Sequence, residues 1–451
     1  MNSPRVLLAA PSSGSGKTTL VCGLLRALKN RSKKVRAFKC GPDFIDPLFH
    51  EQVVGVPSGT LDLFFSGEDQ LKGLFCRHAA GAEVCLIEGV MGYYDGLGAA
   101  TEAASSYAVA KALDAPVVLV VDSRGQSLSA LATVEGFLRF RSDSRIRGVI
   151  FNRMSEGVYA ALKPEAEKLG VRPLGFVPRC PELMIESRHL GLVTPGEIED
   201  LEQKLDKLAA LLEQTVDLEG LLELANEAPA LFAPPVPNLP SMPKTTVAVA
   251  RDEAFCFLYR DNLDALRDYG AELRFFSPIH DAALPAGARG LILPGGYPEL
   301  YARELSENEP MRQAMRKAVE GGLPCLAECG GFLYLHRELE DMEGRFWPMA
   351  GVLDAGAYRT KKLGRFGYIT LTANADTAFL PAGESIRGHE FHYYESEACG
   401  CALHAQKPAG SRGWDCGHAR GDLLMGFPHL YYPSDPQPIE RFLRRCAEKE
   451  V

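Results

Sequence analysis

Short apolar runs recur along the first half of the chain, separated by longer stretches whose apolar residues return at helical spacing. RVLLAA (5–10), KVRAFKC (34–40), EVCLIEG (83–89), APVVLVVD (115–122), IRGVIFN (146–152) and LGFVP (174–178) are close to continuously apolar rather than alternating. Strands of that kind are buried on both faces, which predicts a parallel sheet. TTLVCGLLRALKN (18–30) and SLSALATVEGFLRF (127–140) have the periodicity of the helices that would cover it. A further helix is predicted over 198–214, in IEDLEQKLDKLAALLEQ.

The pattern then breaks. NEAPALFAPPVPNLPSMP (226–243) holds six prolines, a density that disfavours helix and central strand, so it is read as a linker. Beyond it the alternation restarts. TTVAVARD (245–252), ELRFFSP (272–278), RGLILPGG (289–296) and LPCLAEC (323–329) read as strands, with helices in NLDALRDYG (262–270) and near 308–321. The expected fold is α/β in two domains, residues 1–225 and 244–451, joined by the linker 226–243. There is no internal repeat and no low-complexity tract.

Composition narrows the class. The 451 residues are 46% hydrophobic and 24% charged, as in ordinary globular proteins, and the net charge is −9. An acidic chain of this kind offers no basic face for nucleic acid. No apolar run is long enough to span a membrane. Twelve cysteines lie scattered without framework spacing, which reads as reduced thiols in a cytoplasmic protein. Cys399, Cys401, Cys416 and His418 match no common zinc spacing, so loop and surface thiols are the simpler reading.

PSSGSGKTT (11–19) follows the first strand and opens the first helix, the setting a phosphate-binding loop requires. The strict pattern wants glycine where Pro11 stands. The alternative is a glycine-rich turn with a solvated lysine. Read as a phosphate loop, Ser13, Gly14, Ser15, Gly16, Lys17, Thr18 and Thr19 would cradle ATP, with Lys17 on the β- and γ-phosphates and the Thr18 hydroxyl on Mg²⁺. Such a site needs carboxylates at strand ends. Asp43 and Asp46 follow the second strand; Glu88 ends the third, with Asp95 beyond it. Each alone reads equally well as a cap or turn residue. Together, beyond the carboxyl ends of a parallel sheet, they mark a metal and substrate site, with Asp46 and Glu88 the expected metal ligands beside Thr18.

CLAECGGFLYL (325–335) places Cys329 at a predicted strand-to-helix corner, with Ala327 and Gly331 small enough for the sharp turn of a nucleophile elbow. Cys325 belongs inside the strand and reads as core. A nucleophilic thiol needs a base. His429, His389 and His392 are the candidates, and sequence spacing does not choose among them. Glycines of LPGGYPELY (293–301) and the amide after Cys329 are the expected oxyanion donors.

SGSGKTT, FKCGPDFIDP, LIEGVMGYYDG, RHLGLV, RDEAFCFLYRDNL, LPGGYPELYA, AECGGFLYL and RGHEFHYYES, in this order over more than 400 residues, resemble the cobyrinic acid a,c-diamide synthase family. The resemblance implies a dethiobiotin-synthetase-like P-loop domain joined to a class I glutamine amidotransferase-like domain. It implies that Cys329 hydrolyses glutamine through a thioester, with His429 as its base. It implies that MgATP phosphorylates the a and c acetate carboxylates of cobyrinic acid, and that ammonia displaces the phosphate. Asp43, Asp46, Glu88 and Asp95 fall at acidic positions around ATP and corrinoid. Many glutamine amidotransferases carry glutamate two residues after the histidine; here that residue is Tyr431, which leaves the third member unassigned. His389 and His392 would belong to a GHEFHY motif with a structural or interface role. Corrinoid, glutamine and ATP are the implied small-molecule partners, with room for a homodimer. Hydrogenobyrinic acid and nickel sirohydrochlorin are the rival substrates; cobyric acid synthase is the related activity that GPDFIDP and RHLGL fit less well. The rival of another class is a P-loop ATPase or metallochaperone fused to a non-catalytic sensor domain.

Overall fold

In a computed structural model of the chain, the described residues are 3–183, 195–232 and 242–449. RHLGLV (188–193) and residues 233–241 of the expected linker lie outside them. The chain divides into two compact units, Met1–Val236 and Pro237–Val451. The start of the expected linker packs with the first unit. Asn226 ends the helix Leu218–Asn226, Leu231 is buried in the core, and Pro229 O accepts a 2.8 Å hydrogen bond from the buried Arg5 Nη2.

The described residues of the first unit form a sheet of β1 (Arg5–Ala9), β2 (Val35–Cys40), β3 (Ser58–Leu61), β4 (Val84–Glu88), β5 (Val117–Asp122), β6 (Ile146–Asn152) and β7 (Arg172–Val177). Their order is β3-β2-β4-β1-β5-β6-β7, and every pairing is parallel. Both faces are buried, as the continuous apolar runs predict. Val6 and Leu8 enter one core, lined by the helix Lys17–Asn30 and by Leu205, Leu208 and Leu212. Leu7 and Ala9 enter the opposite core. The first helix approaches its neighbour at Gly23, where a Cβ would lie 2.7 Å from Leu208 and Leu212. β3 is the strand that hydrophobicity does not mark: its sequence is SGTL, and pairing with β2 rather than apolar side chains makes it a strand. The consequence of this order is local. β1, β2 and β4 are adjacent, so the loops after them meet at one sheet edge.

The second unit has its own parallel sheet. β8 (Thr245–Ala250), β9 (Ala271–Phe276), β10 (Gly290–Leu293) and β11 (Cys325–Glu328) are joined by Leu423–Gly426, and the antiparallel His418–Arg420 closes one edge. A separate antiparallel sheet joins Gly413–Cys416, Leu403–Gln406, Phe366–Ala373, Ser385–Phe391 and the two-residue strand His429–Leu430. These antiparallel strands are half-exposed and irregular in burial, so they lack the apolar runs that reveal the parallel strands.

Candidate active sites

In the first unit, residues 11–16 turn from β1 into the helix Lys17–Asn30. Gly14 and Gly16 have φ of 77° and 88°, left-handed values that suit glycine. A Cβ on Gly16 would also lie 2.3 Å from Asn152 Nδ2, which donates a 2.8 Å hydrogen bond to Ser15 O. Asn152, at the end of β6, therefore clamps the loop; its sequence context gives no signal of that. Lys17 is buried and folds back, donating to Met91 O at 2.7 Å and Ser12 O at 3.3 Å. Burial, and then the charge of Lys39, push its pKa down to about 8. Ser13 is exposed on the outside of the loop.

The loop's first helical turn meets a buried charge cluster. Thr18 Oγ1 donates to Glu88 Oε1 at 2.6 Å and lies 3.4 Å from Asp46 Oδ2. Lys39 on β2 stands in register with Glu88 on β4 and donates to Glu88 Oε1 at 2.8 Å and to Asp46 Oδ2. His50 is fully buried, with Nδ1 3.2 Å from Ser58 Oγ and Nε2 3.3 Å from Glu88 Oε2 without hydrogen-bond geometry. It opens a π-helical turn, His50–Val54, directly after the short helix that carries Asp46. Such turns cluster at functional sites. Lys39 and His50 are the members that sequence reading missed. The available signal was a lysine inside an apolar strand, one residue before its end.

The charges decide the protonation states. Burial opposes the Glu88 charge, but Lys39 and then His50 outweigh it and hold that carboxyl well below the usual range. Burial and the adjacent Glu88 push Asp46 up. Burial also opposes the charge of Lys39, but Asp46 and Glu88 keep the ammonium protonated. The structure thus brings Thr18, Asp46 and Glu88 together. Asp43 sits at the rim, 3.8 Å from Lys39 Nζ, with Oδ1 accepting from Ile45 N. Asp95 accepts from Gly92 N at 3.0 Å, closing its own loop, and its charge acts on Lys17.

In the second unit, Cys329 lies between β11 and the short helix Gly330–Tyr334 with φ 46° and ψ −100°. A non-glycine residue there carries strain of order 1–3 kcal/mol, and such strain collects at functional sites. The turn leaves no room beside it. A Cβ on Gly331 would lie 2.2 Å from Leu293 O, and one on Gly330 would lie 2.9 Å from Gly296 N. Cys329 N donates to Gly426 O and Gly331 N to Pro294 O, tying the elbow to both neighbouring strands. The Gly330 amide faces the thiol. Burial first, then Glu299 and Glu390, push the resting thiol up. Cys325 is fully buried in the core, as expected.

His429 is buried, and burial, then the neighbouring His389 and His392, push its imidazole pKa well down, which favours the neutral ring. Its ring stacks on His389 at 5.2 Å and fills the space a Gly295 side chain would need, a Cβ there meeting Cε1 at 2.2 Å. Gly295 is thus shared by the elbow's neighbour strand and the histidine. His389 pairs with His429 across the sheet. His392 turns to Glu390, with Nε2 2.9 Å from Oε1. The Tyr431 hydroxyl donates to Asp261 Oδ2 at 2.9 Å. Among the described residues no group of three or more His, Cys, Asp or Glu is arranged to hold a metal. Cys399 and Cys401 are half-buried and exposed, and Cys416 is buried. No helix among the described residues is long and apolar enough to cross a membrane.

Residues 6–193 match the CobQ/CobB/MinD/ParA nucleotide binding domain, and residues 246–413 match the CobB/CobQ-like glutamine amidotransferase domain. The chain is 40% identical over 445 residues to a cobyrinate a,c-diamide synthase from Caldanaerobacter subterraneus subsp. tengcongensis, covering 98% of both chains. It is 38% identical to one from Dehalococcoides mccartyi, again over 98% of both. It is 39% identical to one from Salmonella typhimurium, over 97% of each.

Proposed function

The chain belongs to the cobyrinate a,c-diamide synthase family, and we propose that it amidates the a and c acetate carboxylates of cobyrinic acid, using ATP and glutamine. It is a glutamine-hydrolysing ligase with a nucleotide-binding domain and an amidotransferase domain. Cys329 and His429 carry glutamine hydrolysis. The imidazole, neutral in its buried setting, accepts the thiol proton as sulfur attacks the side-chain carboxamide carbon of glutamine. The Gly330 amide and the Gly295–Gly296 backbone stabilise the developing oxyanion. The C–N bond breaks, ammonia leaves with the proton returned by His429, and water hydrolyses the thioester to glutamate.

In the first unit, a substrate carboxylate oxygen attacks the γ-phosphorus of ATP, releasing ADP and leaving an acyl phosphate. Ammonia then attacks the acyl carbon, and phosphate leaves. A carboxylate is a poor electrophile, and phosphorylation supplies the leaving group. Lys17 and the loop amides hold the phosphates, and Lys39 offsets the charge gathered where carboxylate and phosphate meet. The donor set fits Mg²⁺: Thr18 Oγ1, Asp46 and Glu88 offer hard oxygens, and Glu88 Oε2 is buried without a hydrogen bond. When bound, Mg²⁺ supplies positive charge against the β- and γ-phosphate oxygens. Asp43 and Asp95 are assigned to the rim of the substrate site.

The observation that carries the glutaminase half is the elbow at Cys329, φ 46° on a non-glycine residue packed against Leu293–Gly296. That elbow disfavours a P-loop ATPase with a non-catalytic sensor domain. Cys329→Ser is expected to lose glutamine-dependent amidation and keep ammonia-dependent amidation. Full glutamine use by that variant would remove the nucleophile assignment. Product masses from cobyrinic acid, hydrogenobyrinic acid and nickel sirohydrochlorin, each with MgATP and glutamine, decide the tetrapyrrole; two added amides on cobyrinic acid alone is the expected result.

A further inference from the structure

The residue before the nucleophile is a buried acid that pairs with no cation among the described residues. Glu328 ends β11 at 7% exposure. Its Oε1 accepts a 3.1 Å hydrogen bond from Tyr432 Oη, and its carboxyl also bonds the Leu430 backbone. Both partners belong to the segment that follows His429. The same segment is held from a second side. Asn262 Nδ2 donates to Leu430 O and its Oδ1 accepts from Tyr432 N, both at 2.8 Å. Asp261 accepts the Tyr431 hydroxyl, and Tyr431 N donates to Arg387 O. Asn262 and Asp261 fix the segment to the helix Arg260–Asp268, and Arg387 fixes it to the antiparallel sheet. Glu328 adds polar bonds that join it to the strand carrying Cys329, beside the apolar packing of Leu430 and Tyr432 with Leu326.

A carboxyl buried without a counter-ion costs stability that an apolar residue of similar size would not. Burial pushes Glu328 up to about 8, the two hydrogen bonds only partly offsetting it. An acid kept at that cost, adjacent in sequence to the nucleophile and bonded to the base's own strand, fits a role in the site. The chain also has Tyr431 where a glutamate two residues after the histidine would be expected, and the Tyr431 hydroxyl is turned to Asp261.

We propose that Glu328 is a positioning residue for glutamine hydrolysis, holding residues 430–432 against the elbow so that the His429 imidazole stays aligned with the Cys329 thiol. The tether replaces a triad acid by acting on the backbone beside the histidine rather than on its ring. What the tether needs is an acceptor at Glu328, and glutamine at that position supplies one while alanine does not.

This inference rests on the assignment of Cys329 and His429, and the test separates the two. Glutamate release, ammonia-dependent amidation and the pH–rate profile of Cys329 alkylation by iodoacetamide are measured on the full chain. Glu328→Ala is expected to lower kcat for glutamine about 30-fold with KM within about twofold, a partial loss of the roughly 10²–10⁴-fold that a general base contributes. Ammonia-dependent amidation should stay within about twofold. The alkylation profile should lose its histidine-linked limb. Glu328→Gln should recover most of the loss. Tyr432→Phe should show a smaller loss, and the double variant with Glu328→Ala should be no worse than Glu328→Ala alone. The proposal is overturned if Glu328→Ala keeps its kcat, if Glu328→Gln is as slow as alanine, or if ammonia-dependent amidation falls in parallel. Should Glu328→Ala fail to fold, an unchanged kcat in Tyr432→Phe overturns it equally. Loss in Cys329→Ser with full activity in Glu328→Ala removes this inference alone; glutamine use by Cys329→Ser removes the nucleophile as well.

Discussion

Lys39 decides more of the first site than any residue the sequence singles out. It touches both Asp46 and Glu88, whereas Lys17 donates to backbone carbonyls, Met91 O after β4 and Ser12 O in its own loop. Three buried ionisable groups stand in direct contact, so each charge depends on the others. The acidic residues were legible because carboxylates after apolar strands have few other reasons to recur. Lys39 was not, because a single lysine in VRAFKC reads as an edge-strand residue until β2 is known to lie beside β4. Asn152 and His50 share that problem: their partners lie 137 and 38 residues away. Glu88→Gln tests the cluster. It removes a charge that Lys39, Thr18 and His50 all address while keeping the shape. Amidation from glutamine and from ammonia should both fall about 10²–10³-fold, the scale of losing one preorganised charge. The rate of Cys329 alkylation should not change. Parallel loss of both readouts would mean that Glu88 serves folding.

At the scale of elements, the parallel strands were readable and the antiparallel ones were not. β1, β2 and β4 through β7 follow runs whose residues are buried on both faces, so composition and structure carry the same information. Ser385–Phe391 mixes buried and exposed residues without a regular period, includes a glycine and a histidine, and owes its existence to pairing with Phe366–Ala373. The elbow lies between these cases. Its small residues were visible in AECGG, but the reason for each was not. Gly331 faces the Leu293 carbonyl, a backbone atom that cannot move aside as a side-chain end can. Gly331→Ala should therefore destabilise the protein by about 1–3 kcal/mol, as overpacking does. The same shift would move Cys329 away from the Gly295–Gly296 backbone. Thermal melts with and without ATP, beside glutamate release, check this. An alanine variant with unchanged melting and hydrolysis would mean that the elbow relaxes freely.

For the whole molecule, the nucleotide-binding and glutamine amidotransferase domains occupy separate compact units on one chain, each with its own parallel sheet and core. Two sites on one chain raise the question of whether ammonia passes between them or through solvent. Ammonia, like an alkylamine, is mostly protonated near neutral pH and is then no nucleophile. Release to solvent would dilute it and protonate it, so a ligase that depended on free ammonia would need a large excess of glutamine hydrolysis. Sequence reading reached the division of labour, because each unit carries its own motif. It could not reach transfer, which depends on no single motif. Lys17→Ala is expected to disable phosphate binding and leave Cys329 in place, and Cys329→Ser to do the reverse. Mixed together, the two variants make an enzyme whose ammonia must cross solvent. Glutamine-dependent amidation by the unmodified chain should be insensitive to an enzymatic ammonia trap and should consume about one glutamine per amide formed. Amidation by the mixture should be slow, abolished by the trap, and faster as pH rises toward the ammonium pKa. Equal sensitivity of the mixture and the unmodified chain to the trap would establish exchange through solvent, and the two units would then be coupled by nothing more than their shared chain.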